Sequence, residues 1–207
     1  MSLQRMQYGA SLLEVMVALL VMSLGLLGMA GLQVASAKYR VNVQSNGLVA
    51  QLVSDIAERI RVNPEAAGKA FNEIGDGGSH YVLERTWQQQ LTDTLNIDKN
   101  CNTAECTSEE RGKYDMTLWR MRVRDELPQG NAWVEGGRRD GIQVTLMWMD
   151  KEQTAWEKDE KTSERTLVLQ QAPICSEKAE GAIVHNCCPK AADAPAGVRC
   201  LRMSFLP

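Results

Sequence analysis

Histidine is nearly absent from this 207-residue chain: only His80 and His185 occur, each in a polar stretch where a solvated surface role is the default. No phosphate loop, dinucleotide fingerprint, Gly-x-Ser-x-Gly elbow or His-Glu-x-x-His pair is present, so the common routes to phosphoryl, hydride, acyl and zinc chemistry lack their sequence signatures. A basic excess is also missing. The formal charge of −3, with no basic patch interleaved with aromatics, argues against nucleic acid as the main partner. Acids do not gather into a paired-carboxylate site either. Asp150-Lys151-Glu152 and Asp159-Glu160-Lys161 are mixed charge runs of the kind found on solvated faces. Trp87, Trp119, Trp133, Trp148 and Trp156 read as core or rim rather than a ligand platform. There is no internal repeat. The chain is therefore expected to be no enzyme and to need no cofactor or metal.

The longest absence is of charge. Residues 15–37 contain no Asp, Glu, Lys or Arg over 23 positions. As a helix this stretch would be about 35 Å long at 1.5 Å per residue, enough for a hydrocarbon core of about 30 Å. A secretory signal peptide is the rival, and Ala35-Ser36-Ala37 resembles a cleavage site. However, its apolar region usually spans about 7–15 residues and is preceded by positive charge. Here the run is longer, and the residue at its lip is an acid, Glu14. A carboxylate at membrane depth costs roughly 2.5–3.5 kcal/mol on insertion scales, less near a helix end, so it is normally kept for a partner or a function. The flanking charges, Arg5 before the run and Lys38 and Arg40 after it, give no strong orientation by the positive-inside rule.

Gly9, then Glu14 five positions on, then an uncharged helix, resembles the type IV prepilins. That resemblance implies cleavage between Gly9 and Ala10 by a membrane prepilin peptidase on the cytoplasmic side. It also implies N-methylation of the new amine on Ala10, and neutralisation of a neighbouring subunit's amine by Glu14. A buried carboxylate is tolerated when paired. The family usually has Phe after the scissile glycine, and this chain has Ala10. The run from Ser23 to Gln33, with Gly25, Gly28 and Gly31, further resembles the PilV-like minor pilins. So do the segment Arg59-Ile60-Arg61-Val62-Asn63-Pro64 and the arrangement Trp119…Leu127-Pro128-x-Gly130. The three glycines each lower helix propensity by about 1 kcal/mol relative to Ala. They either permit close helix packing or let the helix bend or partly melt inside a filament. The resemblance implies a minor pilin that helps initiate type IV pilus assembly within a minor-pilin tip or priming complex. Its partners would be other minor pilins, the major pilin and the prepilin peptidase. Its location would be the inner membrane with a periplasmic head, then the pilus filament. A type II secretion pseudopilin and a tip adhesin are the alternatives.

All six cysteines, Cys101, Cys106, Cys175, Cys187, Cys188 and Cys200, fall outside the apolar helix, in the part that would face the periplasm. An even count in an exported domain reads as disulfides, which places the head in an oxidising compartment and supplies the orientation. Fifteen pairings are open. Cys101 with Cys106, closing a short loop, is favoured, and the adjacent Cys187 and Cys188 are expected to take different partners. A zinc site using these cysteines with His185 is the rival, but the spacings match no zinc finger or ribbon.

The remaining chain reads as an α+β pilin-like domain: a long N-terminal membrane-spanning helix packed on a small antiparallel sheet, with a disulfide-bearing C-terminal region. Val41, Leu48, Leu52, Ile56 and Ile60 recur at helical spacing, with Asp55, Glu58, Arg59 and Arg61 on the other face. One helix over residues 10–62 would be roughly 80 Å long, stopped by Asn63-Pro64. The expected divisions are a leader at 1–9, a transmembrane half at 10–37, an amphipathic half at 38–63 and a head at 64–207. Residues 65–80 read as a loop, 81–95 as a short helix and 96–112 as the first cysteine loop. Residues 115–127 read as an amphipathic helix, although their alternation also permits a strand. Strands are expected at 132–135, 142–148 and 165–170, the middle one with one face buried. Residues 150–161 read as a polar hairpin loop, and 175–207 as disulfide-bearing loop ending in a strand at 201–206.

Overall fold

The computed structural model describes residues 11–69, 78–158, 165–176 and 180–207, with backbone alone for residues 38 and 41–43. Gly75, Asp76 and Gly77 of the expected 65–80 loop, Val41 of the expected stripe and the far end of the 150–161 segment therefore lie outside the described side chains. By contacts the chain divides into two units, Met1–Asn46 and Gly47–Pro207. Helix α1, Leu12–Val62, contributes to both.

In the first unit, every side chain of α1 from Leu12 to Ala37 is exposed. The span Leu12–Ala37 is 26 residues long and apolar enough to cross a membrane, and none of its best window is buried.

In the second unit, the last turns of α1 bury one face. Val49, Leu52, Val53, Ile56 and Ile60 are all buried, at steps of three and four residues. The helix stops where expected. Pro64 excludes helical backbone at Asn63, whose amide donates to the Ser108 carbonyl at 2.8 Å and to the Tyr81 hydroxyl at 3.2 Å. The charged face is less solvated than the sequence implied. Arg59 donates to Asp55 at 3.0 Å and to Asp115 at 3.1 Å.

Helix α3, Ser108–Glu126, starts seven residues before the expected Asp115, inside what read as the cysteine loop. The reason is local: Thr107 and Glu110 form a reciprocal capping box, with Thr107 Oγ1 accepting from the Glu110 N–H at 3.2 Å and Glu110 Oε2 from the Thr107 N–H at 2.9 Å. The strand alternative for this segment is overturned. Met116, Trp119 and Val123 line its buried side, and Trp119 Nε1 donates to the Leu52 carbonyl of α1 at 2.8 Å. The Leu127-Pro128-x-Gly130 stop has a steric cause, because a Cβ on Gly130 would lie 2.1 Å from the Val123 carbonyl oxygen.

Residues 81–95 are helical only over α2, Trp87–Thr92. Leu83 before it is extended and exchanges backbone hydrogen bonds with Val134 at 2.8 and 3.1 Å, covering the edge of the sheet.

The sheet has three antiparallel strands in the order β1 (Asn131–Gly137), β2 (Gly141–Met149), β5 (Val198–Phe205). The β1–β2 turn needs glycine: Gly136 has φ +92°, and a Cβ there would meet the Gly141 carbonyl oxygen at 2.2 Å. Alternation sorts the side chains. Ala132, Val134, Ile142, Val144, Leu146, Trp148, Leu201, Met203 and Phe205 join the core shared with α1 and α3. Trp133, Met147, Val198 and Cys200 face a second cluster with Trp87, Ala172, Cys188, Ala192 and Ala194. The expectation that only one face of β2 is buried is thus corrected: the C-terminal segment covers part of the other.

The charged segment after β2 is not all loop. Thr154–Lys158 forms β3 and pairs with β4, Arg165–Leu169, as a separate two-stranded sheet, so the strand at 165–170 is absent from the main sheet. Trp156 is exposed, whereas the other four tryptophans are buried. Strand β5 begins three residues before the expected 201, because Cys200 is tied into its start.

Candidate functional site: the N-terminal helix

The described part of the candidate site begins at Ser11. It occupies the cap position before α1, and its Oγ accepts from the Glu14 N–H at 3.2 Å while its carbonyl accepts from the Val15 N–H at 3.2 Å. A helix leaves its first N–H groups without intrahelical partners, and a serine cap satisfies one of them. Glu14 therefore sits in the first turn, where the positive end of the helix dipole favours an anion. Its carboxylate is exposed and has no ion-pair partner among the described residues. Sequence reasoning singled out Glu14 but missed Ser11. The signal was available as Ser-x-x-Glu just before an apolar run. Gly9 and Ala10 lie outside the described residues.

Along the helix, Ser23 Oγ donates to the Leu20 carbonyl at 2.8 Å, so this hydroxyl needs no water. A Cβ built on Gly25, Gly28 or Gly31 would meet nothing within 4 Å. The three glycines are thus not explained by crowding within this chain.

The six cysteines lie in the second unit and pair as Cys101–Cys106, Cys175–Cys187 and Cys188–Cys200. The short-loop pairing and the separate partners of Cys187 and Cys188 both hold. With all six sulfurs in disulfides, the zinc reading loses its ligands. His185 lies on the one-turn helix α4, Ile183–Asn186, and is exposed. His80 Nδ1 lies 3.9 Å from Glu109 in a part-exposed pair.

A buried polar group joins α1 to α3 in the second unit. Asp115 is buried between Arg59 and Tyr81, at a groove of about 590 Å³ that also contains Asp55, Asn63 and Arg111. Burial pushes the Asp115 carboxyl above the usual range, against the opposing pull of Arg59. Burial also pushes the Tyr81 hydroxyl up to about 12, against the hydrogen bond from Asn63. These groups bridge the buried end of α1 to α3.

The description of a known family matches part of this chain: the prokaryotic N-terminal methylation motif, over residues 4–30. No curated protein and no solved structure matches the chain. The matched segment contains Gly9, Ala10, Ser11 and Glu14, and most of the apolar run. The motif is the type IV prepilin-like signal, and it indicates a pilin-like or pseudopilin-like protein, structural in character. It implies processing by prepilin peptidase and assembly with other pilins. The motif and the single N-terminal apolar helix together fit membrane anchoring.

Proposed function

We propose that this chain is a minor pilin of the PilV-like kind that helps start type IV pilus assembly within a tip or priming complex. The observation that carries the reading is the capped, exposed apolar helix with Glu14 in its first turn, lying under the methylation motif. In this reading prepilin peptidase cuts between Gly9 and Ala10, and the Ala10 amine is methylated. Residues 10–37 sit in the inner membrane, 38–63 continue as the amphipathic half of the helix, and 64–207 form a periplasmic head. Assembly moves the chain into the filament. Glu14 then pairs with the terminal amine of a neighbouring pilin, which removes the cost of an isolated carboxylate in an apolar surround. Gly25, Gly28 and Gly31 admit close approach of neighbouring helices. Three disulfides suit a head exposed to an oxidising compartment.

A pseudopilin of a type II secretion system shares the same N-terminal logic. Deleting the gene separates the readings: lost surface pili with intact protein secretion supports the minor pilin, and lost secretion with normal pili refutes it. Pili that assemble but fail to attach would assign the chain to adhesion instead.

A further inference from the structure

The cysteines pair in order along the chain, first with second, third with fourth and fifth with sixth. The pairing is ambiguous at one place. Cys187 and Cys188 are neighbours, and the bonds that each of them makes have the same sequence separation, 12 residues. Exchanging their partners lengthens each loop by one residue. Loop-closure entropy grows slowly with length, so the two pairings differ by only roughly 1.1-fold per loop in an unfolded chain. Chain length does not choose between them.

The folded chain holds Cys175 at the point of choice. Its Sγ is bonded to Cys187, while its backbone N–H donates to the Cys188 carbonyl at 2.9 Å. The Cys188 N–H donates to the Pro173 carbonyl at 2.8 Å, completing a short parallel bridge between Ile174 and Cys188. Cys175 thus lies against both adjacent cysteines. What separates the two is direction. Cys187 is extended, with φ −94° and ψ 152°, and successive side chains of an extended backbone point to opposite sides. Cys188 enters the cluster of Trp87, Trp133, Met147 and Val198, where Cys200 meets it, and both are buried. Cys175 stays half-buried.

We propose that Cys187 and Cys188 are an internal exchange pair that corrects the C-terminal disulfides during folding without an external isomerase. The first oxidation joins Cys175 to either neighbour; an external disulfide, of glutathione or of a thiol-oxidising protein, takes up the two electrons and is reduced to two thiols. The neighbour left free is always near, since adjacent Cα atoms are about 3.8 Å apart. In the misjoined form the Cys187 thiolate attacks the Cys175 sulfur. A Cys175–Cys187 bond forms, the Cys175–Cys188 bond breaks, and its electron pair leaves on Cys188 as a thiolate, with no net oxidation. A second oxidation of the same kind joins Cys188 to Cys200. Burial of that bond in the second cluster traps the native pairing, and with every cysteine oxidised the exchange stops. Cys101–Cys106, closed within its own short loop, takes no part.

The test follows reoxidation of the full chain in detergent, starting from reduced, urea-unfolded protein, with glutathione disulfide as the oxidant and no isomerase. Samples are stopped with N-ethylmaleimide, and electron-transfer fragmentation between Cys187 and Cys188 reads which of them holds Cys175. The Cys200→Ser variant, kept in urea so that its folding is not at issue, should divide Cys175 between the two neighbours within about twofold. The wild type, diluted from urea, should pass from an early mixture to more than tenfold excess of Cys175–Cys187. The rate of that conversion should stay unchanged when reduced glutathione is raised tenfold, because the attacking thiolate belongs to the chain. Cys175 found on Cys187 alone from the first sample, in both proteins, overturns the proposal. So does a mixture that persists until a disulfide isomerase is added, and so does a conversion rate that rises in proportion to glutathione.

Discussion

Removing the Cys188–Cys200 disulfide should destabilise the head more than removing Cys101–Cys106, and the structure gives both magnitudes. The two bonds close stretches with sequence separations of 12 and 5 residues. In the chain-entropy description, a link of the first length lowers the entropy of the unfolded chain enough to contribute about 3 kcal/mol at 25 °C, and the second about 2 kcal/mol. Burial widens the gap. Cys188 and Cys200 are 0% and 1% exposed, packed among Trp87, Trp133 and Met147. Truncating both to alanine leaves a small void there, adding on the order of 1 kcal/mol. Cys106 is only half-buried, so its neighbours can relax. The expected losses are therefore about 4 kcal/mol for Cys188→Ala/Cys200→Ala and about 2 kcal/mol for Cys101→Ala/Cys106→Ala. Urea unfolding of the detergent-solubilised full chain, followed by tryptophan emission, measures them side by side. Equal losses, or a larger loss from the short loop, would refute the argument from loop length and burial.

Trp119→Phe should lower stability by about 2 kcal/mol, combining a lost hydrogen bond to the Leu52 carbonyl with a partial cavity between α3 and α1; an unchanged thermal midpoint would contradict it. Tyr81 contributes an alkaline limit. Its hydroxyl titrates near 12 folded against 10.0 ordinarily. The folded state thus holds the proton longer, and its contribution is complete below pH 10 and lost as pH rises through about 12. The loss is at most about 2.7 kcal/mol, from two pH units at 1.36 kcal/mol each, and Tyr81→Phe should flatten that part of a stability–pH profile. Glu14→Ala should insert into the membrane normally but lose co-purification with partner pilins; retained co-purification would exclude its pairing role. Gly9→Val should leave the precursor uncut, read as a band of unprocessed size.

What the sequence revealed tracked how local the determinant was. The long helix, its stop at Asn63-Pro64 and the Cys101–Cys106 loop depend on neighbours in sequence, and each was legible. The start of α3 was legible in principle, as Thr107 and Glu110 carry the capping pattern, but the cysteines drew that stretch into a loop reading. The separate β3–β4 sheet was hidden by charge: Glu157 and Lys158 look like a solvated loop, and only pairing with residues 165–169 makes them strand. The second buried face of β2 depends on a segment about 50 residues later, pinned by Cys188–Cys200, and no local pattern around residue 147 announces it. At the candidate site, Glu14 stood out because an acid beside an apolar run is expensive, while Ser11 is ordinary in composition and informative only in its geometry.

The central claim, a processed pilin-type subunit, is tested most directly by mass spectrometry on the protein extracted from membranes with its bound partners. The account predicts a mature chain beginning at Ala10, recovered together with other pilins. A chain still carrying Gly9, or one cut after Ala37 and recovered free of pilins, would contradict it.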